Sequence, residues 1–450
     1  MPRNPFELPE IRRRLALFVS VNDAISCMQV SKAFSEDFAY PIWHTIDFGT
    51  QAKVDQIYPT ISNNYGQHIR VVEGVKEESQ VGSLINLGVT SLSELEVVTE
   101  MDPLFQASLY DLIRKNRATL TKLKIHRKSG KRKPSSIIFL DSLMSTIHSL
   151  QPSKLSHLSI QWLTLTRDSL TSVLRCCPVL IGIDLWGVTL IPSRKVDDYQ
   201  HAGVKVLETM VADSIVEGNP PLLAHFPNLD MWKTGDSSLP SEFPSQRVKD
   251  IISTWCPTLR CVESNFMPSP LLTHLIVNVF DCLTSLTFDY RKISPEMILA
   301  LLHRPDNWIH LDTYVSQAGF YSKFEDDGIP EVMDHFQSSR WMVQSIMRCC
   351  RNLESFGFQD HEMDLDEIEQ IPWVCEGLED LKVRIKGLDT RDMIEGAISK
   401  WRVGRKERGS GDIIEDPVDQ DQSIEARVAR HLLRFKNLST VWLGSKIWEL

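Results

Sequence analysis

The sequence predicts an α/β solenoid, a stack of short strand-and-helix units, preceded by a small module of three helices. Three observations predict it. A six-residue apolar phrase recurs along most of the 450-residue chain. Apolar residues at helical spacing stand before several copies of that phrase. The first forty-odd residues carry a denser helical pattern of their own.

That N-terminal pattern comes first along the chain. Leu8, Ile11, Leu15 and Phe18 are spaced three, four and three apart, which is one face of a helix. Pro9 falls in the first turn, where its missing N–H does no harm. Asn22-Asp23 can cap a second short helix carrying Ile25 and Met28. Val30, Phe34 and Phe38 mark a third, and Trp43 closes the segment after Pro41. A body of this size buries too little surface to be stable alone. It must lean on the rest of the chain, on a partner, or on both.

The recurring phrase is one apolar residue, two variable, one apolar, one variable, one apolar. It reads LSELEV from Leu92, LTKLKI from Leu120, LSHLSI from Leu155 and LIGIDL from Leu180. It returns as LTSLTF from Leu283, LESFGF from Leu353, LEDLKV from Leu378 and LSTVWL from Leu438, with degraded copies LRCVES from Leu259 and WIHLDT from Trp308. Positions 155 and 180 stand 25 apart, 259 and 283 stand 24 apart, and 283 to 308 and 353 to 378 are again 25. The 79 residues between 180 and 259 leave room for weak copies around Leu207 and Leu229. Wider gaps require loop insertions, expected near residues 126–136, 315–335 and 403–423.

The segments before the phrases, such as SLTSVLRCCPVL and RVKDIISTWCPTL, share one layout: helical spacing, a cysteine or small break, then the strand phrase. Val248, Ile251, Ile252 and Trp255 form one such stripe. A single strand and helix cannot enclose a core, but stacked copies can, each covering its neighbour. Parallel strands need a crossover of this length, and a helix supplies it. The expected result is a horseshoe with strands on the concave face, helices outside, and small soft cysteines at the helix-to-strand turns. Alternate strand residues face opposite sides. That rule puts His157, Gln161, Asp184, Trp186, Asp289, His310, Asp312, Tyr314 and Trp442 on the open face, as candidate substrate-binding residues.

Composition narrows the function. Hydrophobic residues make up 42 % and charged residues 24 %, ordinary for a globular chain. No stretch approaches the ~18 consecutive apolar residues of a membrane span. Arg12, Arg13 and Arg14 precede LALFV, but Ser20, Asn22 and Asp23 end that run too early for a signal peptide. A cytoplasmic or nuclear location is therefore expected. The formal charge of −10 disfavours wholesale nucleic-acid binding. Nine cysteines, without any C-x-x-C, suggest neither a disulfide framework nor a zinc ribbon. His361-Glu362 lacks the second histidine of H-E-x-x-H, and no phosphate-cradling glycine motif or G-x-S-x-G elbow occurs. The basic run HRKSGKRKP reads as a solvated inserted loop, with no interleaved aromatic residues for base stacking. GRKERGSGDIIEDPVDQDQS reads as another loop. No catalytic residue, metal ligand or cofactor is expected, and no membrane.

Two resemblances follow from these residues. The phrase after Cys177-Pro178-Val179-Leu180 and Cys256-Pro257-Thr258-Leu259 resembles the cysteine-containing leucine-rich repeats of ribonuclease-inhibitor-like folds. The segment with Leu8-Pro9-Glu10-Ile11, Leu15, Phe18, Asp23, Val30-Ser31, Phe34 and Trp43 resembles an F-box. The residue usual between proline and glutamate is absent, and Ala24-Ile25 replaces the usual leucine. The resemblance implies an F-box over residues 4–48 and a leucine-rich-repeat solenoid over 49–450. It further implies an adaptor-binding set: Pro5, Leu8, Pro9, Ile11, Leu15, Phe18, Ile25, Val30, Phe34 and Trp43. The adaptor would be of the Skp type and would join the chain to a cullin. The expected function is that of the substrate-recognition subunit of an SCF-type E3 ubiquitin ligase, without catalysis of its own, acting on a protein substrate the sequence does not name. A repeat scaffold with no ubiquitin role, and an enzyme with a dispersed site, are the other readings.

Overall fold

The computed structural model describes residues 6, 8–49, 66–99, 103–127, 153–191, 199–209, 221–234, 245–264, 269–278, 282–289, 294–314, 344–388, 390–409, 421–443 and 446–449. The chain divides into two compact units, Met1–Pro227 and Asn228–Leu450.

The first unit opens with α1 (Pro9–Ala16), α2 (Val21–Met28) and α3 (Lys32–Trp43). Serines cap the last two: Ser20 Oγ accepts the Asp23 N–H at 3.2 Å, and Ser31 Oγ accepts the Phe34 N–H at 3.3 Å. The cap expected of Asn22-Asp23 is thus one turn too late, because the Ser20 hydroxyl reaches the orphan donor first and also donates to Asp23 at 2.7 Å. The expected stripe is corrected too. Leu8 is the N-cap of α1 and Phe18 lies past its C-cap, Leu17. The buried residues of α1 are Arg12 and Ala16. Ala16, Ala24 and Phe38 form the core of the three helices, with Val19, Cys27, Met28, Phe34 and Ile42 packed around them. Arg12 donates to Asp37 at 2.7 Å and to the Phe6 carbonyl at 2.6 Å, and stacks 5.6 Å over the Phe34 ring.

Strand β1 (Thr45–Asp47) follows α3 directly and pairs in parallel with β2 (Val71–Val75). The parallel order continues through β3 (Glu94–Thr99), β4 (Lys122–Arg127) and β5 (His157–Gln161). A short strand β6 (Thr164–Thr166) comes next, then β7 (Gly182–Leu185) beside β5, β8 (Thr189–Ile191) beside β6, and β9 (Val206–Thr209) beside β7. Among the described residues three crossovers are helical: α4 (Glu78–Asn86), α5 (Pro103–Lys115) and α6 (Arg167–Cys176). The register aligns Ile46, Val72, Leu95, Leu123, Leu158, Ile183 and Leu207 into one buried row. Val81 and Leu84 of α4, Leu109 and Leu112 of α5, and Leu170 and Val173 of α6 close the core from the helix side. Burying one such side chain contributes about 1.5–3 kcal/mol.

The second unit repeats the scheme. Its strands are β10 (Met231–Thr234), β11 (Cys261–Ser264), β12 (Ser285–Asp289), β13 (His310–Tyr314), β14 (Ser355–Met363), β15 (Asp380–Ile385) and β16 (Thr440–Leu443), parallel in chain order. The final strand β17 (Lys446–Glu449) returns antiparallel to β16. Helices α7 (Ser245–Trp255), α8 (Ser269–Asn278), α9 (Pro295–Leu302), α10 (Leu365–Gln370), α11 (Arg391–Gly409) and α12 (Ile424–Leu432) lie between strands, with a further helical turn over 344–349. Trp232, Val262, Leu286, Leu311, Phe356, Leu381 and Val441 form its buried row. Both units are therefore mixed α/β bodies built on a parallel sheet.

Each of the ten quoted phrases starts two residues before a strand, from Leu92 before β3 to Leu438 before β16. The weak copy at Leu229 stands before β10 in the same way. The one near Leu207 starts instead at Val204, as VKVLET, with Leu207 as its second apolar position. A further copy, IRVVEG from Ile69, precedes β2. Turns agree as well: the Cys177, Cys256 and Cys375 carbonyls accept the N–H groups of Leu180, Leu259 and Leu378 at 3.0, 3.2 and 3.3 Å. Of the expected insertions, 315–335 lies outside the described residues, as does 128–136 of the first. The third is narrower than expected. Helix α11 runs on to Gly409 and Ser423 caps α12, so only 410–420 lies outside the described residues. Ile394, Ala397, Ile398 and Trp401 keep α11 buried. Arg405 extends the attachment, donating to the Leu438 carbonyl at 2.9 Å and stacking 4.9 Å over Trp401.

Candidate protein-interaction surfaces

The three-helix module buries Ala16, Ala24, Phe38 and Ala39 and leaves several large apolar side chains exposed. Helix α1 meets α3 through Ala16 and through Asp37, which accepts from Arg12 at 2.7 Å and from Arg13 at 3.0 Å. Phe18 is 84 % exposed, Val30 67 %, Ile25 45 %, Leu8 39 % and Leu15 37 %, and Phe6 and Leu17 are exposed as well. Pro9 is exposed and Ile11 half-buried. Phe34 belongs to the packing instead, stacked on Phe38 at 5.5 Å between ring centres. Trp43, the last residue of α3, is half-buried. Pro5 lies outside the described residues. This many exposed large apolar side chains on one small module make it a candidate interaction site.

The second candidate surface is the open face of each sheet. In the first unit it brings together four of the expected residues. Gln161 Nε2 and Ser159 Oγ both donate to Asp184 Oδ2 at 2.6 Å, and the Trp186 N–H donates to Asp184 Oδ1 at 2.9 Å. His157 stands at the start of the same strand as Gln161, opposite Gly182 in register. Sequence reasoning missed Trp162, which follows β5 with φ 59° and is 41 % exposed. Its N–H donates to the Trp186 carbonyl at 2.9 Å. The ring fits because Gly187, at φ 66°, has no Cβ; one there would stand 2.4 Å from Trp162 Cε3.

In the second unit Asp312 on β13 and Trp442 on β16 meet through Lys382 on β15, a residue the sequence reading did not select. Lys382 Nζ lies 2.5 Å from Asp312 Oδ2 and 5.9 Å over the Trp442 ring. The ion pair spans an entire strand. Register places Gly357 of β14 between the two residues, and a Cβ there would stand 1.9 Å from Asp312 Oδ1. Burial raises the Asp312 carboxyl above its ordinary pKa, against the pull of Lys382. His310 is exposed on the same face. Asp289 and Tyr314 are register neighbours in β12 and β13, but their side chains lie outside the described residues.

The buried cysteines have the opposite character from nucleophiles. Burial pushes the Cys177 thiol up to about 11 and those of Cys256, Cys350 and Cys375 up to about 12. Among the described residues, no group of three or more His, Cys, Asp or Glu is placed to hold a metal ion. Among them, too, no helix is long and apolar enough to cross a membrane. No protein-family model matches the chain, and no curated protein matches it.

Proposed function

We propose that this chain is the substrate-recognition subunit of a cullin–Skp–F-box E3 ubiquitin ligase. Its three-helix module is an F-box that docks a Skp-type adaptor. Its two sheet-and-helix units are leucine-rich repeats whose open strand faces bind a protein substrate. The observation that carries this reading is the outward apolar set Leu8, Leu15, Phe18, Ile25 and Val30 on a module of three short helices packed around Ala16, Ala24 and Phe38. Such a surface has an energetic reason to be covered: each well-packed apolar anchor in a protein interface can contribute ~2 kcal/mol or more. A one-strand, one-helix repeat with a turn at each C-x-x-L supports the second half of the reading.

The test is co-purification of the full chain with a Skp-type adaptor, beside a Leu15→Asp/Phe18→Asp variant. Both positions are exposed, so the variant keeps its fold. Capture of the wild type and loss in the variant are the expected results. A folded wild-type chain that never binds the adaptor would leave a repeat scaffold without a ubiquitin role.

A further inference from the structure

The open sheet face of the first unit is a groove of about 360 Å³ crossing β2, β3, β4, β5, β7 and β9. Its ionisable lining is unbalanced. The five carboxylates of Glu73, Glu94, Glu96, Asp184 and Glu208 face only two ammonium groups, those of Lys122 and Lys124, a net charge of −3 with histidines neutral. Both lysines are already engaged, Lys122 at 2.9 Å from Glu94 and Lys124 at 3.2 Å from Glu96. Among the described residues Asp184 is held by the neutral donors Ser159, Gln161 and the Trp186 N–H, which order its carboxylate without cancelling its charge. At the same first and third strand positions of the second unit, Lys233 and Lys382 stand against Glu263, Asp312 and Asp380, a net charge of −1.

Trp162 follows Gln161, the residue that donates to Asp184, and is tied by its N–H to the carbonyl of Trp186. A tryptophan is rarely found at positive φ, and here it carries a large exposed ring just past the end of β5, one of the strands the groove crosses. A carboxylate on β7 and an exposed indole just past the neighbouring β5 each suit a guanidinium or ammonium group, through charge and through the ring's negative face.

We infer that this groove takes an extended basic segment of the partner protein, with an arginine or lysine side chain set against Trp162 and Asp184. Six strands about 4.8 Å apart span about 24 Å, the length of roughly seven extended residues. The inference rests on the chain's proposed role as a substrate receptor and names the class of segment received.

Fluorescence anisotropy tests it, with the full chain and a labelled peptide of alternating arginine and alanine beside its glutamate–alanine counterpart. The arginine peptide should bind saturably and more weakly as salt rises, and the glutamate peptide should not bind. Asp184→Asn and Trp162→Ala should each weaken binding about fivefold or more. If Trp162→Ala loses its fold by circular dichroism, Asp184→Asn with Glu73→Gln carries the test. Absence of arginine-peptide binding, equal binding of the glutamate peptide, or wild-type affinity in the folded variants would overturn the inference. The adaptor assay is independent of this one. Peptide binding by a chain that never captures the adaptor would keep the groove and remove the ligase, and adaptor capture without peptide binding would do the reverse.

Discussion

Acid should weaken the second unit through one histidine. His431 on α12 is buried, its ring set edge-on to Trp373 at 4.5 Å and to Phe435 at 5.6 Å. Its Nε2 finds no hydrogen-bond partner among the described residues. Burial, aided by Arg434, lowers its pKa from the usual 6.5 to about 3. A histidine with a depressed folded pKa is neutral in the fold, so the unfolded chain binds the proton first. Stability is therefore whole above pH 6.5 and declines as pH falls from 6.5 toward 3. At pH 5 the loss is about 2 kcal/mol, from roughly 1.5 pH units at 1.36 kcal/mol each. For a body of this size that corresponds to a melting temperature lower by about 4–8 °C. His431→Leu fills the same apolar pocket without a proton to bind. Thermal melts of wild type and variant at pH 7.5 and pH 5 supply the comparison, since other groups titrate alike in both. The gap between them should open in the variant's favour at pH 5. An unchanged gap would refute the burial argument.

Further predictions concern the sheet face and the turns. Gly357→Ala should displace the Asp312 carboxylate and break its pair with Lys382, lowering stability by about 1–3 kcal/mol. Combining it with Asp312→Ala should cost less than the two changes summed, and strict additivity in denaturant melts would contradict the strand-spanning contact. Iodoacetamide at pH 8 should label exposed Cys282 and Cys349 while Cys256, Cys350 and Cys375, with pKa values pushed to about 12, stay unmodified in peptide mass maps. Early labelling of the second set would mean those turns open readily.

The strands were legible because burial on one side imposes a fixed spacing. Two apolar positions two residues apart must both point inward, and the leading leucine fills the turn below. VKVLET and IRVVEG were harder to read, since Thr209 and Gly74 stand where the last apolar residue belongs. Strand β17 carries no phrase at all, because an antiparallel return needs no crossover helix. The polar end of α11 looked like loop for want of apolar residues, yet Arg405 anchors it through backbone and ring contacts that no spacing reveals. In the N-terminal module periodicity identified the apolar residues but not their direction. Arg12 and Asp37 neutralise each other inside, and Ala16 takes the place a leucine was expected to hold. Lys382 and Trp162 were missed for a related reason: one is chosen by a partner two strands away, the other by a glycine 25 residues on.

The central claim is that the outward face of the N-terminal helices exists to be covered by an adaptor. Calorimetric titration of the purified full chain with a Skp-type adaptor tests it most directly, for wild type and for Phe18→Ala. The account predicts saturable binding to the wild type and a dissociation constant raised about thirtyfold by the loss of the most exposed anchor, Phe18. Binding of equal strength in the two proteins, or no heat in either while both remain folded, would contradict it.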